Sequence, residues 1–166
     1  MTHPITLFLA RSDSPIGRLE LTSDGEAITS LSIACDGHLP LEALPENPNA
    51  VLREAVRQLD EYFAGTRHSF DLPLHLSGTE FQKAVWAVLA DLPFGEFTSY
   101  GEIGVRLGRS TGGRAVGGAV GANPVPLLIG CHRVLSSSGR VTGYSGGEGI
   151  PTKLWLLAHE GITLAA

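Results

Sequence analysis

The sequence predicts an α+β fold in two units. These are a small N-terminal antiparallel sheet domain with one helix over residues 1–76, and a mostly helical domain with a helix-turn-helix and a candidate reactive cysteine over residues 77–166. Three observations predict it. Residues 5–36 form short apolar runs separated by turn chemistry, apolar positions at three- and four-residue spacing mark later helices, and Ser77-Gly78-Thr79 starts a new unit.

In order, Ile5–Leu9, Gly17–Thr22 and Ala27–Ala34 read as strands, with Ser14-Pro15-Ile16-Gly17 and Ser23-Asp24-Gly25 as the turns between them. Leu19 and Leu21 alternate with Arg18, Glu20 and Thr22, which predicts a half-buried middle strand. Residues 36–48 read as a loop, and Asn49 as the cap of a helix running to about Ala64. Leu52, Val56, Leu59 and Phe63, with Ala55 and Tyr62, form its apolar face, and Gly65 stops it. Residues 70–76 look extended.

Thr79 is the expected cap of a helix through Phe81, Val85, Trp86 and Leu89 that ends near Pro93-Phe94-Gly95. A short helix from Thr98-Ser99-Tyr100 to Leu107, a turn over residues 108–113 and a helix from Arg114 to about Gly121 have helix-turn-helix spacing. Gly117, Gly118 and Gly121 each cost up to about 1 kcal/mol of helix propensity, so close approach of another backbone, DNA being one candidate, has to reward them. Asn123-Pro124-Val125-Pro126 ends that helix, and Leu127–Val134 is expected to be a buried strand. A turn at residues 136–140, a mobile loop at 142–147 and a last helix opening at Pro151 complete the chain.

Composition narrows the function. With 166 residues and 43% hydrophobic content the chain has a core to bury, and no apolar run reaches the roughly 18 to 20 residues of a membrane helix. The start, Met1-Thr2-His3-Pro4, lacks a signal-peptide pattern, so a cytoplasmic protein with no membrane partner is expected. Cys35 and Cys131 are expected to stay reduced, and with His38 and His132 they lack the paired spacings of a zinc site. The formal charge is −5, but Arg106, Arg109, Arg114, Arg133 and Arg140 against Glu102 give residues 101–140 a net +4, leaving −9 on the rest. A local cationic face on an acidic body suits docking to DNA.

Cys131 is the candidate nucleophile and His132 its candidate base. In a strand, neighbouring side chains point to opposite faces, so the pair meets only if the backbone bends or a water bridges it. The imidazole also needs an orienting acceptor, for which Glu160 is the first choice and Glu148 the rival.

Ser99-Tyr100-Gly101-Glu102, Arg114–Ala119, Asn123-Pro124-Val125-Pro126, Cys131-His132-Arg133-Val134, Gly143–Gly147, Lys153 and Leu156–Gly161 together resemble the O6-alkylguanine-DNA alkyltransferases, also called methylated-DNA–protein-cysteine methyltransferases. The likeness covers about residues 79–161, with the N-terminal part similar in pattern only; it implies an RNase H-like N-terminal domain. It also implies direct, irreversible DNA repair: the lesion is flipped from the duplex, and the cysteine takes the alkyl group of O6-alkylguanine, and of O4-alkylthymine, once and without a cofactor. The implied catalytic residues are Cys131 as acceptor, His132 as a base acting through water, Glu160 orienting it, and Tyr100 helping guanine leave.

Arg114 resembles the finger that fills the vacated stack, and Asn123 the tie between recognition helix and active-site strand. The Cys131 and Val134 backbone with Tyr144 and Ser145 is the implied guanine pocket, and Ala115, Gly118 and Lys153 are further DNA- or substrate-contacting positions. The expected partner is double-stranded DNA bearing O6-alkylguanine, met by a monomer, with clustering on DNA left open. Two other readings stay open on the residues alone, a Cys-His hydrolase and a lesion-sensing DNA-binding module without catalysis. One position departs from the family, Gly130, where proline is usual. Its wider backbone range is worth about 0.4 to 1 kcal/mol and predicts an active but looser site.

Overall fold

The computed structural model describes residues 6–109 and 113–164. Expectations for Ile5, the first four residues and Ser110-Thr111-Gly112 of the helix-turn-helix turn lie outside the described residues. The chain divides into two compact units, Met1–Ser77 and Gly78–Ala166.

The first unit is an antiparallel meander of β1 (Phe8–Ser12), β2 (Leu19–Ser23) and β3 (Ile28–Ile33), with α1 (Ala50–Phe63) packed against β1 and β2. Leu9, Leu21, Ile28, Leu52, Leu59 and Tyr62 form its core. Asn49 caps α1 by accepting from the Leu52 N–H, and Gly65, with φ +83°, closes it with bonds from the Gly65 and Thr66 amides to Tyr62 and Glu61. The middle strand is not half-buried, because all five of its residues are enclosed. Its polar face is covered by the loop after β3: Glu20 accepts from Arg11 Nε at 3.0 Å and from the Leu41 amide at 2.9 Å, and Arg11 also donates to the Leu41 and Leu44 carbonyls. Period-two alternation reports which face is polar, not whether that face is wet. Residues 70–76 join this unit through a parallel bridge from Leu74 to Ile28 and through paired bonds between the Gln58 side chain and the Asp71 backbone.

The second unit runs α2 (Glu80–Ala90), β4 (Thr98–Ser99), α3 (Tyr100–Arg106), α4 (Gly113–Gly121), a 3-10 turn (Cys131–Arg133), β5 (Val134–Leu135) and α5 (Ile150–His159). Thr79 and Gln82 form a reciprocal capping box at the start of α2. The α2 and α3 helices both pack on α4, where Trp86 Nε1 donates to the Ala119 carbonyl at 2.8 Å. At the end of α3 a Cβ on Gly104 would lie 2.7 Å from the Arg109 carbonyl oxygen, so the chain turns there only because residue 104 has no side chain. Among the described residues no helix is long and apolar enough to cross a membrane.

The expected strand from Leu127 to Val134 is absent. Pro124 and Pro126 remove two donors, Leu127 takes a left-handed φ of +76°, and the Ile129 amide closes back on the Val125 carbonyl at 3.0 Å. Only Val134–Leu135 is extended, pairing in parallel with β4.

Candidate active site

The second unit contains a cavity of about 260 Å³ lined by Tyr100, Gly117, Val120, Gly121, Cys131, Thr142, Gly143, Tyr144, Ser145 and Lys153. The two α4 glycines give it width: a Cβ on Gly121 would lie 3.0 Å from Ser145 Oγ, and one on Gly117 would touch the Tyr100 ring. Gly118 faces open space, exposed on the outward face of α4 with Arg114 and Ala115.

Cys131 opens the 3-10 turn at the cavity wall, buried and within hydrogen-bond reach of Asn123 and Tyr144. Both cysteines are free thiols, Cys35 exposed and Cys131 buried. Asn123 fixes the approach to the turn, donating from Nδ2 to the Ile129 carbonyl at 2.9 Å and accepting from the Val125 amide at 3.0 Å. The bend that the sequence required between Cys131 and His132 is therefore this helical turn rather than a distorted strand.

His132 is fully enclosed. Its Nε2 lies 2.6 Å from Glu160 Oε2, and its Nδ1 is buried with no hydrogen-bond partner among the described residues. Glu160, not Glu148, is thus the carboxylate beside the imidazole; the Glu148 amide instead donates to Thr152 Oγ1. Glu160 sits at the C-terminal cap of α5, where Gly161, with φ +74°, ends the helix by bonds from the Gly161 and Ile162 amides to Ala158 and Leu157.

Arg133 turns inward and leaves the cationic surface on which the charge count placed it. It is 7% exposed, donates to both Glu160 oxygens at 2.7 and 3.0 Å, and donates to the Leu92 carbonyl at 2.9 Å. The Gly95 amide also donates to Glu160 Oε1 at 3.2 Å. Gly130 is not loose either. Its φ of −76° and ψ of 63°, with the Cys131 amide bonded to the Ile129 carbonyl at 2.8 Å, form an inverse γ-turn open to any residue. The place of its missing side chain is filled by Arg133: a Cβ there would come within 2.8 Å of Nη1 and 3.0 Å of Cζ.

Lys153, expected among DNA- or substrate-contacting positions, lines the cavity, is 1% exposed and donates from Nζ to the Val134 and Gly143 carbonyls at 2.5 and 3.1 Å. Val134 is fully buried, and its carbonyl is engaged by that ammonium. Burial brings Lys153 down to about 8. Burial also pushes the Cys131 thiol up and holds His132 below the ordinary imidazole value against the pull of Glu160. For Glu160, burial works the other way, but the bonds from His132 and Arg133 outweigh it and keep the carboxyl ionised. The resting site is a neutral thiol beside a neutral imidazole. Tyr100, at the first position of α3, is pushed up by burial and hydrogen-bonded to Thr142.

Two family models match the chain: 6-O-methylguanine DNA methyltransferase, DNA binding domain, over residues 80–162, and 6-O-methylguanine DNA methyltransferase, ribonuclease-like domain, over residues 7–76. The chain belongs to the 6-O-methylguanine DNA methyltransferase family. The methylated-DNA–protein-cysteine methyltransferase of Mycobacterium leprae is 45% identical over 150 residues, covering 89% of this chain and 88% of that one. That of Methanosarcina acetivorans is 40% identical, covering 93% and 99%. Among solved 6-O-methylguanine DNA methyltransferase structures, the Mycobacterium tuberculosis O6-methylguanine methyltransferase aligns over 97% of each chain with a TM-score of 0.83 and 40% identity. A structure of the same organism's protein in complex with DNA aligns over 92% of each with a TM-score of 0.80 and 41% identity.

Of the residues named from the sequence, Cys131 and Tyr100 line the cavity and His132 meets Glu160, whereas the inward turn of Arg133 and the cavity positions Val120 and Thr142 were not foreseen. The signal for Arg133 was its place one residue after the imidazole. Thr142 stood one residue before the Gly143–Gly147 stretch that carries the resemblance.

Proposed function

We propose that the protein repairs duplex DNA by moving the alkyl group of O6-alkylguanine, and of O4-alkylthymine, to Sγ of Cys131 in one irreversible step. The observation that carries this is a buried thiol at the wall of a cavity fit for one extruded base, followed directly by an imidazole held by a carboxylate. Residues 77–166 are read as the DNA-binding and alkyl-transfer domain, and residues 1–76 as a separate α/β domain.

Duplex DNA docks on the outward face of α4, where Arg114, Ala115 and Gly118 are exposed. Small residues let the helix lie close in the minor groove, and Arg114 enters the stack as the base leaves it. The guanine enters between Tyr144 and Ser145 on one side and Tyr100 on the other. His132 keeps its Nε2–H on Glu160, so Nδ1 is the nitrogen left to take the Cys131 proton through a bridging water. The thiolate attacks the alkyl carbon, a carbon–sulfur bond forms, and the carbon–oxygen bond breaks. Its electron pair returns to guanine, Tyr100 gives its phenolic proton to the leaving base, and the proton that His132 took from Cys131 passes to solvent as solvent reprotonates Tyr100. Lys153 adds positive charge near the sulfur as it ionises.

The thioether has no hydrolytic exit, so each chain acts once, which separates this reading from a Cys-His hydrolase. A buried thiol that must stay reduced suits the cytoplasm, and we assign the protein there as a monomer. The test is incubation with a duplex carrying labelled O6-methylguanine. One label per chain is expected on the Cys131 peptide, and Cys131→Ala is expected to lose transfer while keeping duplex binding. Catalytic turnover, or transfer by Cys131→Ala, would overturn the assignment.

A further inference from the structure

Beside the candidate site lies a buried charged group that this mechanism leaves unused, the Arg133 guanidinium, and a residue whose lack of a side chain makes room for it, Gly130. We infer that Arg133 is a positioning residue that sets the protonation of His132 by holding the Glu160 carboxylate, and that Gly130 is what lets its guanidinium lie there. The inference rests on the reading of His132 as the base.

A carboxylate facing only an imidazole would favour the imidazolium, and a base that is already protonated takes nothing from a thiol. Here Arg133 contacts both Glu160 oxygens and is itself anchored to the Leu92 carbonyl, so the carboxylate is compensated before His132 is counted. Two contacts to one carboxylate also fix its plane, and with it the oxygen that receives Nε2–H. The charged and titratable groups facing His132 are Glu160 and Lys153 from α5, and Arg133 and Cys131 from its own turn. Glu160 alone pulls the ring toward the charged form, while Arg133 and Lys153 oppose it. Burial agrees, since an enclosed imidazole is cheaper to keep neutral.

Removing the guanidinium leaves Glu160 uncompensated, so His132 holds its proton to higher pH and the acid limb of the rate profile moves up. The experiment measures the transfer rate with free O6-benzylguanine from about pH 5.5 to about pH 9 for the parent, Arg133→Met and Arg133→Lys, with the His132 ring titrated by NMR. For Arg133→Met the rate at about pH 6 should fall roughly tenfold while the rate above about pH 8 stays within about threefold. Arg133→Lys, which restores the charge without the two-point grip, should fall between.

A merely structural Arg133 would lower the melting temperature or scale the rate equally at every pH. An acid limb superposable on the parent's in Arg133→Lys, or in Arg133→Met where it folds, overturns the inference. His132→Gln separates the two levels: undiminished transfer in that variant sinks the reading of His132 as base, whereas its loss together with unmoved limbs in the Arg133 variants sinks this inference alone.

Discussion

At Gly130 the chain has a residue without a side chain although its backbone does not require one. The φ of −76° is proline's own, so a proline there costs nothing in backbone strain and removes about 0.4 to 1 kcal/mol of unfolded-state freedom. Any Cβ, however, must displace the Arg133 guanidinium that three hydrogen bonds hold. Gly130→Ala has the clash without the entropic return and should lose about 1 to 2 kcal/mol in urea unfolding. Gly130→Pro should lose less than Gly130→Ala, and in both the transfer rate should fall most at the acid end. A Gly130→Pro variant with the parent's rate and melting temperature would show that the contact with Arg133 carries no energy.

Among the elements, α5 matters by where it stops. Its last residues are set by Gly161, whose left-handed conformation is free for glycine and costs other residues about 1 to 2 kcal/mol. That stop puts Glu160 at the cap, where its carboxylate meets His132, Arg133 and the Gly95 amide. Gly161→Ala is therefore expected to lower stability by about 1 kcal/mol by chemical denaturation. It should also slow transfer, because the Glu160 side chain shifts with its backbone. Normal transfer in a destabilised Gly161→Ala protein would mean that the helix end and the site are uncoupled. The 3-10 turn shows the same dependence of chemistry on local backbone. It carries Cys131 and His132 round a bend that a strand would not make.

For the whole molecule, the question is how an acidic protein meets an acidic polymer. With Arg133 buried, the cationic set is Arg106, Arg109, Arg114 and Arg140, all exposed on the second unit, with Arg109 lying 4.4 Å over the Phe81 ring. If three or four of these neutralise phosphates, log affinity for duplex should fall against log salt with a slope of about −3. Arg114→Ala should slow transfer from an O6-methylguanine duplex by about tenfold or more, yet leave transfer from free O6-benzylguanine within about twofold, because only the duplex has a stack to refill. Equal losses on both substrates would remove Arg114 from the role of finger.

Much was legible in the sequence because it is written locally. Asn49, Thr79 and Gly65 mark helix ends through their own side chains or φ values, and the Cys131-His132 pair, Glu160 and Tyr100 stand in a pattern whose spacing is covalent. The sequence by itself determined the three-strand meander, the five helices found among the described residues, the family and the chemical groups proposed for the site, but not the 3-10 turn that replaces the expected strand. Only the tertiary structure decided which way those groups face. Glu20 alternates like a surface residue, yet a distant loop encloses it, and Arg133 reads as a surface charge, yet it closes on a carboxylate 27 positions away. Lys153 likewise reads as a solvent-facing charge but lies enclosed at the cavity wall against two carbonyls. Burial of a charge depends on partners brought together by folding, and no local pattern encodes them.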